Sequence, residues 1–161
     1  MAEEAVLEST PWATTRSLQV GRDLPAPPDR VFAALHTPSA IRGWWSAARA
    51  LVVPEEGGIW AAAWGEAEDE PDYVTVASII LFDPPRRLIL GDYRYWSKDG
   101  PLPFKADLTT EFIVLPADGG CRLEVIQEGF PAESVADDFY AGCQSGWQRT
   151  FDGIEEYLQR G

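Results

Sequence analysis

Between Thr15 and Leu24 the apolar residues Leu18, Val20 and Leu24 fall two and four positions apart, which puts their side chains on one face of a β-strand. Pro25-Ala-Pro-Pro28 ends that strand. Pro28 suits the first turn of a helix, where the N–H it lacks would have no intrahelical partner. Val31, Ala34 and Leu35 follow at helical spacing, so a short helix is predicted over Asp29–His36. Thr37-Pro38-Ser39 interrupts it and opens a second short helix that runs through Ile41 to about Trp44. The middle of the chain then reads as strands: Ala50–Val53, Ile59–Trp64, Tyr73–Phe82 and Arg87–Trp96. They are separated by the Glu55-Glu-Gly-Gly58 turn, an acidic loop over Glu66–Asp72, and Asp83-Pro-Pro85. Ala106–Leu115 and Cys121–Phe130 flank Pro116-Ala-Asp-Gly-Gly120, a strong hairpin signal.

The last thirty residues change period. Tyr140, Cys143, Trp147, Phe151, Ile154 and Leu158 are three or four residues apart, one face of an α-helix about five turns long. Glu155, Glu156, Gln159 and Arg160 fall mainly on the other face. Such a stripe has to be buried, and the preceding strands supply the only sheet to bury it against. The expected fold class is therefore α+β: an antiparallel sheet with two short helices and a long C-terminal helix laid across it. With 161 residues, the chain suits a single domain over 15–161 behind an acidic N-terminal tail at 1–14.

Composition narrows the partners. The 13 basic and 26 acidic residues give a net charge of −13, the wrong sign for a phosphate-binding surface, and nucleic acid is excluded as a partner. No apolar run approaches the ~18–20 residues of a membrane span, and the acidic N-terminus lacks the basic start of a signal peptide. Cys121 and Cys143 read as two reduced thiols, and the expected location is the cytoplasm.

Several short segments together carry a resemblance. They are Pro28-Asp-Arg-Val-Phe-Ala-Ala-Leu35, Trp44-Trp45, Gly57-Gly58, Phe82-Asp-Pro-Pro-Arg-Arg-Leu88, Glu128-Gly-Phe130, and Gly146-Trp147 with Ile154–Leu158. In this order and spacing, over roughly residues 15–160, the chain resembles the START-like, or SRPBCC, superfamily with its helix-grip fold. More narrowly, it resembles the family of the C-terminal domain of the heat-shock-protein-90 ATPase activator. One departure is Asp92, where relatives often carry tryptophan. The resemblance implies a curved sheet gripped by the long helix around a cavity for apolar or amphipathic small molecules. It also implies two alternatives: a co-chaperone-like module with a chaperone partner, and a small cyclase- or hydrolase-type enzyme. The activator's additional chaperone-engaging domain is not expected in a chain of this length.

Strand parity nominates the cavity residues. If Leu88 and Leu90 point inward, so do Asp92 and Arg94, unless a bulge reverses the register. Inward Leu123 and Val125 bring Gln127 with them; Phe112 shares a face with Leu108 and Val114, and Trp60 with Trp64; the helix adds Cys143 and Trp147. The expected ligand-binding set is thus Trp60, Trp64, Asp92, Arg94, Phe112, Gln127, Cys143 and Trp147. The same tryptophans and Cys143 also suit plain core packing. If the charged pair is internal, Arg94 is placed to hold a ligand carboxylate or phosphate, with Asp92 orienting it.

No catalytic constellation is read. The single histidine, His36, ends a helix, where a protonated imidazole favours the dipole, so a local capping role is expected. Glu66, Glu68, Asp69, Glu70 and Asp72 lack calcium-loop spacing and read as a solvated loop. Neither a metal site nor a cofactor is expected.

Overall fold

The computed structural model describes residues 14–160; apart from Thr14, the acidic segment at 1–14 lies outside them. The alternating segments form seven strands: β1 (Thr15–Leu24), β2 (Arg49–Val52), β3 (Ile59–Trp64), β4 (Tyr73–Asp83), β5 (Arg87–Ser97), β6 (Thr109–Ala117) and β7 (Gly120–Pro131). Helices α1 (Pro28–His36) and α2 (Pro38–Trp45) follow β1, and a 3₁₀ turn at Ser134–Ala136 leads into the long α3 (Asp137–Arg160). The strands make one antiparallel sheet in the order β1-β7-β6-β5-β4-β3-β2. β1 therefore leaves one edge, α1 and α2 carry the chain across, and a meander returns strand by strand to pair with β1. The result is the antiparallel sheet crossed by a long helix that the pattern predicts, and the helix-grip arrangement that the resemblance implies. The main boundary difference is at β6, which begins at Thr109 rather than Ala106.

Pro28 opens α1, as its missing N–H favours. α1 closes at Thr37, whose backbone N–H and hydroxyl both donate to the Ala33 carbonyl. The stripe of α3 buries Trp147, Phe151, Ile154 and Leu158 against a sheet face that includes Leu88, Leu90, Phe112, Val114, Leu123 and Val125. Burying each such side chain contributes roughly 1.5–3 kcal/mol, which explains why a 24-residue helix with few apolar residues outside its stripe is held in place. Farther along, α3 presses against α2 closely enough that a Cβ at Gly153 would lie 2.3 Å from the Trp44 carbonyl oxygen. Arg22 of β1 ties the same helix down by a 2.6 Å ion pair to Asp152.

One feature of the register makes room inside. β6 pairs with β7 along its whole length, but with β5 only over Arg87–Leu90. β6 begins at Thr109, one residue past the last pair Leu90↔Thr110, so β5 runs on beyond β6 and stays paired with β4 alone. The connection between the two strands, including Leu102, Phe104 and Leu108, lines the space there.

Candidate functional site

The sheet, the β5–β6 connection and α3 line a cavity of about 990 Å³. This lies at the upper end of the ~300–1,000 Å³ usual for small-molecule sites. One wall is aromatic: Trp44 and Trp45 from the end of α2, with Trp60 from β3. Their rings form a cluster, with Trp45 stacked on Trp44 at 5.3 Å and tilted against Trp60 at 5.8 Å. The backbone fixes this wall. The Trp44 indole donates to the Ala34 carbonyl at 2.8 Å and the Trp60 indole to the Leu35 carbonyl at 3.0 Å. Both are last-turn carbonyls of α1, which have no intrahelical donor of their own. Phe112 of β6 and Trp147 of α3, edge to face at 5.9 Å, form the opposite side.

The bulge that reverses the parity of β5 is present, and it corrects the inward placement of Asp92 and Arg94. Ser78 pairs with Gly91 and Val76 with Arg94, so Asp92 and Tyr93 together oppose the single Ala77. Asp92 takes the left-handed conformation, with φ of 49°, which aspartate tolerates better than most residues. Asp92 and Arg94 are consequently exposed, and Tyr93 and Tyr95 line the cavity instead. No Asp92/Arg94 clamp faces the interior.

Of the other nominated residues, Trp60, Phe112, Gln127, Cys143 and Trp147 line the cavity together. Trp64 does not reach it. Its ring stands edge-on to Trp45 at 5.0 Å, and its indole donates to the Trp45 carbonyl at 3.1 Å, so it braces the wall from behind. His36 ends α1 with a hydrogen bond to its own backbone; burial outweighs that bond and pushes its imidazole below the ordinary value of 6.5, and the ring packs edge-on against Phe32 and Phe82 at 5.4 and 5.1 Å.

Within the cavity one corner is polar. Gln127 donates to Thr110 Oγ1 at 3.0 Å and accepts from the Trp147 indole at 2.8 Å, and the Tyr93 hydroxyl meets Thr110 Oγ1 at 2.7 Å. Thr110, 2% exposed, is a buried polar residue inside the apolar core. Desolvation pushes the Tyr93 phenol up to about 12 and the Cys143 thiol up to about 11, so both stay protonated at neutral pH. Tyr93, Thr110, Lys105 and Arg149 were not nominated from the sequence. Thr110 carried a signal, since it lies between Leu108 and Phe112 on the same strand face; Tyr93 was hidden by the bulge. Cys121 and Cys143 are free thiols. Among the described residues, no group of three or more His, Cys, Asp or Glu is placed to hold a metal ion, and no helix is long and apolar enough to cross a membrane.

A seven-stranded sheet wrapped around a long C-terminal helix, with a cavity between them, defines a START-like SRPBCC protein of the helix-grip type. More narrowly, residues 25–159 match the family model described as Activator of Hsp90 ATPase homolog 1-like protein, and the chain belongs to that family. Similar solved structures include protein MLL2253 of Mesorhizobium loti, at 23% identity and a TM-score of 0.72, covering 90% of this chain and 98% of that one. An uncharacterised protein of Rhizobium leguminosarum has 21% identity and a TM-score of 0.73, covering 92% and 97%. Protein Ms6760 of Mycobacterium smegmatis has 20% identity and a TM-score of 0.70, covering 88% and 90%. At these identities the likeness establishes the fold. No curated protein matches the sequence.

Proposed function

We propose that this protein binds a hydrophobic or amphipathic small molecule in the cavity between the sheet and α3, as a carrier or sensor of that molecule in the cytoplasm. The observation that carries this reading is the cavity itself: about 990 Å³, walled by tryptophan, phenylalanine and leucine, with one hydrogen-bonded polar corner. A protein interior normally packs to the density of an organic crystal. A chamber this large, with its walls anchored to backbone carbonyls, therefore supports accommodation of a ligand rather than self-filling. The ligand-binding residues on this reading are Trp60, Phe112, Gln127, Cys143 and Trp147, joined by Tyr93 and Thr110. The chemistry of the lining favours binding over proton transfer, because Tyr93 and Cys143 are held protonated and, among the described residues, neither carboxylate nor imidazole lines the chamber. The test is native mass spectrometry of the purified protein against the same sample denatured, with calorimetric titration of an apolar probe. Either a co-purifying molecule or one saturable site supports the reading; a clean mass together with no saturable site sinks it.

The family match favours a second reading, a module that engages a chaperone. Its net charge of −13 suits a basic partner surface. That reading predicts salt-sensitive association with an Hsp90-type chaperone and a change in its ATPase rate, both unaltered when the cavity is plugged.

A further inference from the structure

The hydrogen-bond directions in the polar corner can be deduced. An indole N–H only donates, so the Gln127 atom that meets Trp147 Nε1 is the amide oxygen, and the amide nitrogen faces Thr110. The Tyr93 and Thr110 hydroxyls share one bond, and whichever donates, the other keeps its proton. Gln127 also keeps a second N–H. The four side chains thus carry five donor hydrogens and spend three of them on one another, with no further acceptor bonded to them among the described residues. All four line the cavity. Two donor hydrogens, one on Gln127 and one on the Tyr93–Thr110 pair, thus remain for an occupant.

The rim carries positive charge. Its exposed lining residues include Lys105 and Arg149, the only charged residues on the cavity wall among the described residues. No described aspartate or glutamate lines it. Arg16, Arg22, Arg87 and Arg122 are each ion-paired, whereas Arg149 makes no ion pair among the described residues.

We infer that the cavity selects an organic anion, its apolar body in the aromatic chamber and its acidic group at the rim against Arg149. This rests on the cavity being a binding site. The net charge of −13 does not oppose it decisively, because carboxylates farther away than the ~8–10 Å screening length at physiological salt are largely silent, while a rim cation within ~4–6 Å of a bound acid is not. An organic cation finds no carboxylate at the rim among the described residues.

The test uses a matched pair of fluorophores, neutral N-phenyl-1-naphthylamine and its 8-sulfonate, titrated calorimetrically into the full chain. The sulfonate is expected to bind one site about tenfold tighter than the amine. Arg149→Glu, a change at an exposed position, is expected to weaken the sulfonate about tenfold and leave the amine within about twofold. Arg149→Gln is the second variant, with a smaller loss in the same direction; near-UV circular dichroism confirms that each variant is folded. Equal or tighter binding of the amine overturns the anion preference while leaving the binding reading intact, as does an unchanged sulfonate affinity in Arg149→Glu. Failure of both probes to saturate overturns both.

Discussion

Three glycines of α3 separate ligand accommodation from helix stability. In a helix interior, glycine costs roughly 0.8–1 kcal/mol relative to alanine or leucine, so each is tolerated for a reason or for none. A Cβ at Gly142 meets nothing within 4 Å, and one at Gly146 meets only the tip of Arg149 at 4.0 Å. Both positions therefore have room for a side chain. The difference is that Gly146 lines the cavity and Gly142 does not. Gly142→Leu and Gly146→Leu should each raise stability by about 0.5–1 kcal/mol. For a domain of this size that is about 1–4 °C in Tm. Only Gly146→Leu should weaken binding of an apolar probe, by about tenfold or more, because its side chain occupies the chamber. Gly153→Ala should move the other way: its Cβ would lie 2.3 Å from the Trp44 carbonyl oxygen, a backbone atom unable to yield cheaply. The α2–α3 contact would have to open, at a cost of about 1–3 kcal/mol. Thermal unfolding and probe titration on the three variants decide the matter. A Gly146→Leu protein that is more stable yet binds as well as the parent would refute the cavity as the site. One that is less stable would refute the open space beside Gly146.

Trp147→Ala removes a buried ring that touches Phe112 and Phe151 and strands the Gln127 oxygen; a loss of about 3–5 kcal/mol is expected in urea unfolding, and retained stability would show the ring is not part of the core. Stability should be flat from about pH 7 to 9 and fall above that: Tyr93 and Cys143 have raised folded-state values, so the unfolded chain releases those protons first and rising pH favours it. At the acid end, the lowered value of His36 means the unfolded chain takes up the proton first, so its contribution is lost as pH falls below about 6.5; urea midpoints across pH 5–11 check both limbs. Asp92→Gly should leave the protein as stable or raise it by up to about 1 kcal/mol, because glycine adopts the left-handed bulge conformation without penalty, while Asp92→Val should destabilise it.

The sequence was legible wherever a single local period ran unbroken. The β1 boundaries follow from alternation and those of β3 from an apolar run behind the Gly57-Gly58 turn, and the α3 stripe at 147, 151, 154 and 158 names the buried residues of its core-facing side. Parity reasoning is a chain of alternations, however, and one extra residue reverses everything beyond it. On β7 the alternation from Leu123 and Val125 reaches Gln127 without interruption, and the side chain is in the cavity. On β5 the same argument from Leu88 and Leu90 meets the Asp92 bulge after two residues, and Tyr93 takes the inward place. A lone aspartate inside an apolar strand is a weak local signal of such a bulge, since a left-handed position suits a short polar residue.

The rest of the site depended on contacts between elements distant in sequence. Trp60 and Trp64 share a strand face, yet one lines the chamber and the other braces it from behind. What separates them is where α2 ends: Trp45 lies between the Trp64 ring and the cavity. The chamber is bordered by the stretch of β5 beyond Leu90, which runs past the start of β6 at Thr109 and pairs only with β4. A strand begun at Ala106, as the sequence pattern predicts, would have run beside that stretch. The bulge and the late start of β6 therefore act together. One turns Tyr93 inward, and the other leaves it facing a chamber, with its hydroxyl on Thr110 near the end of β6.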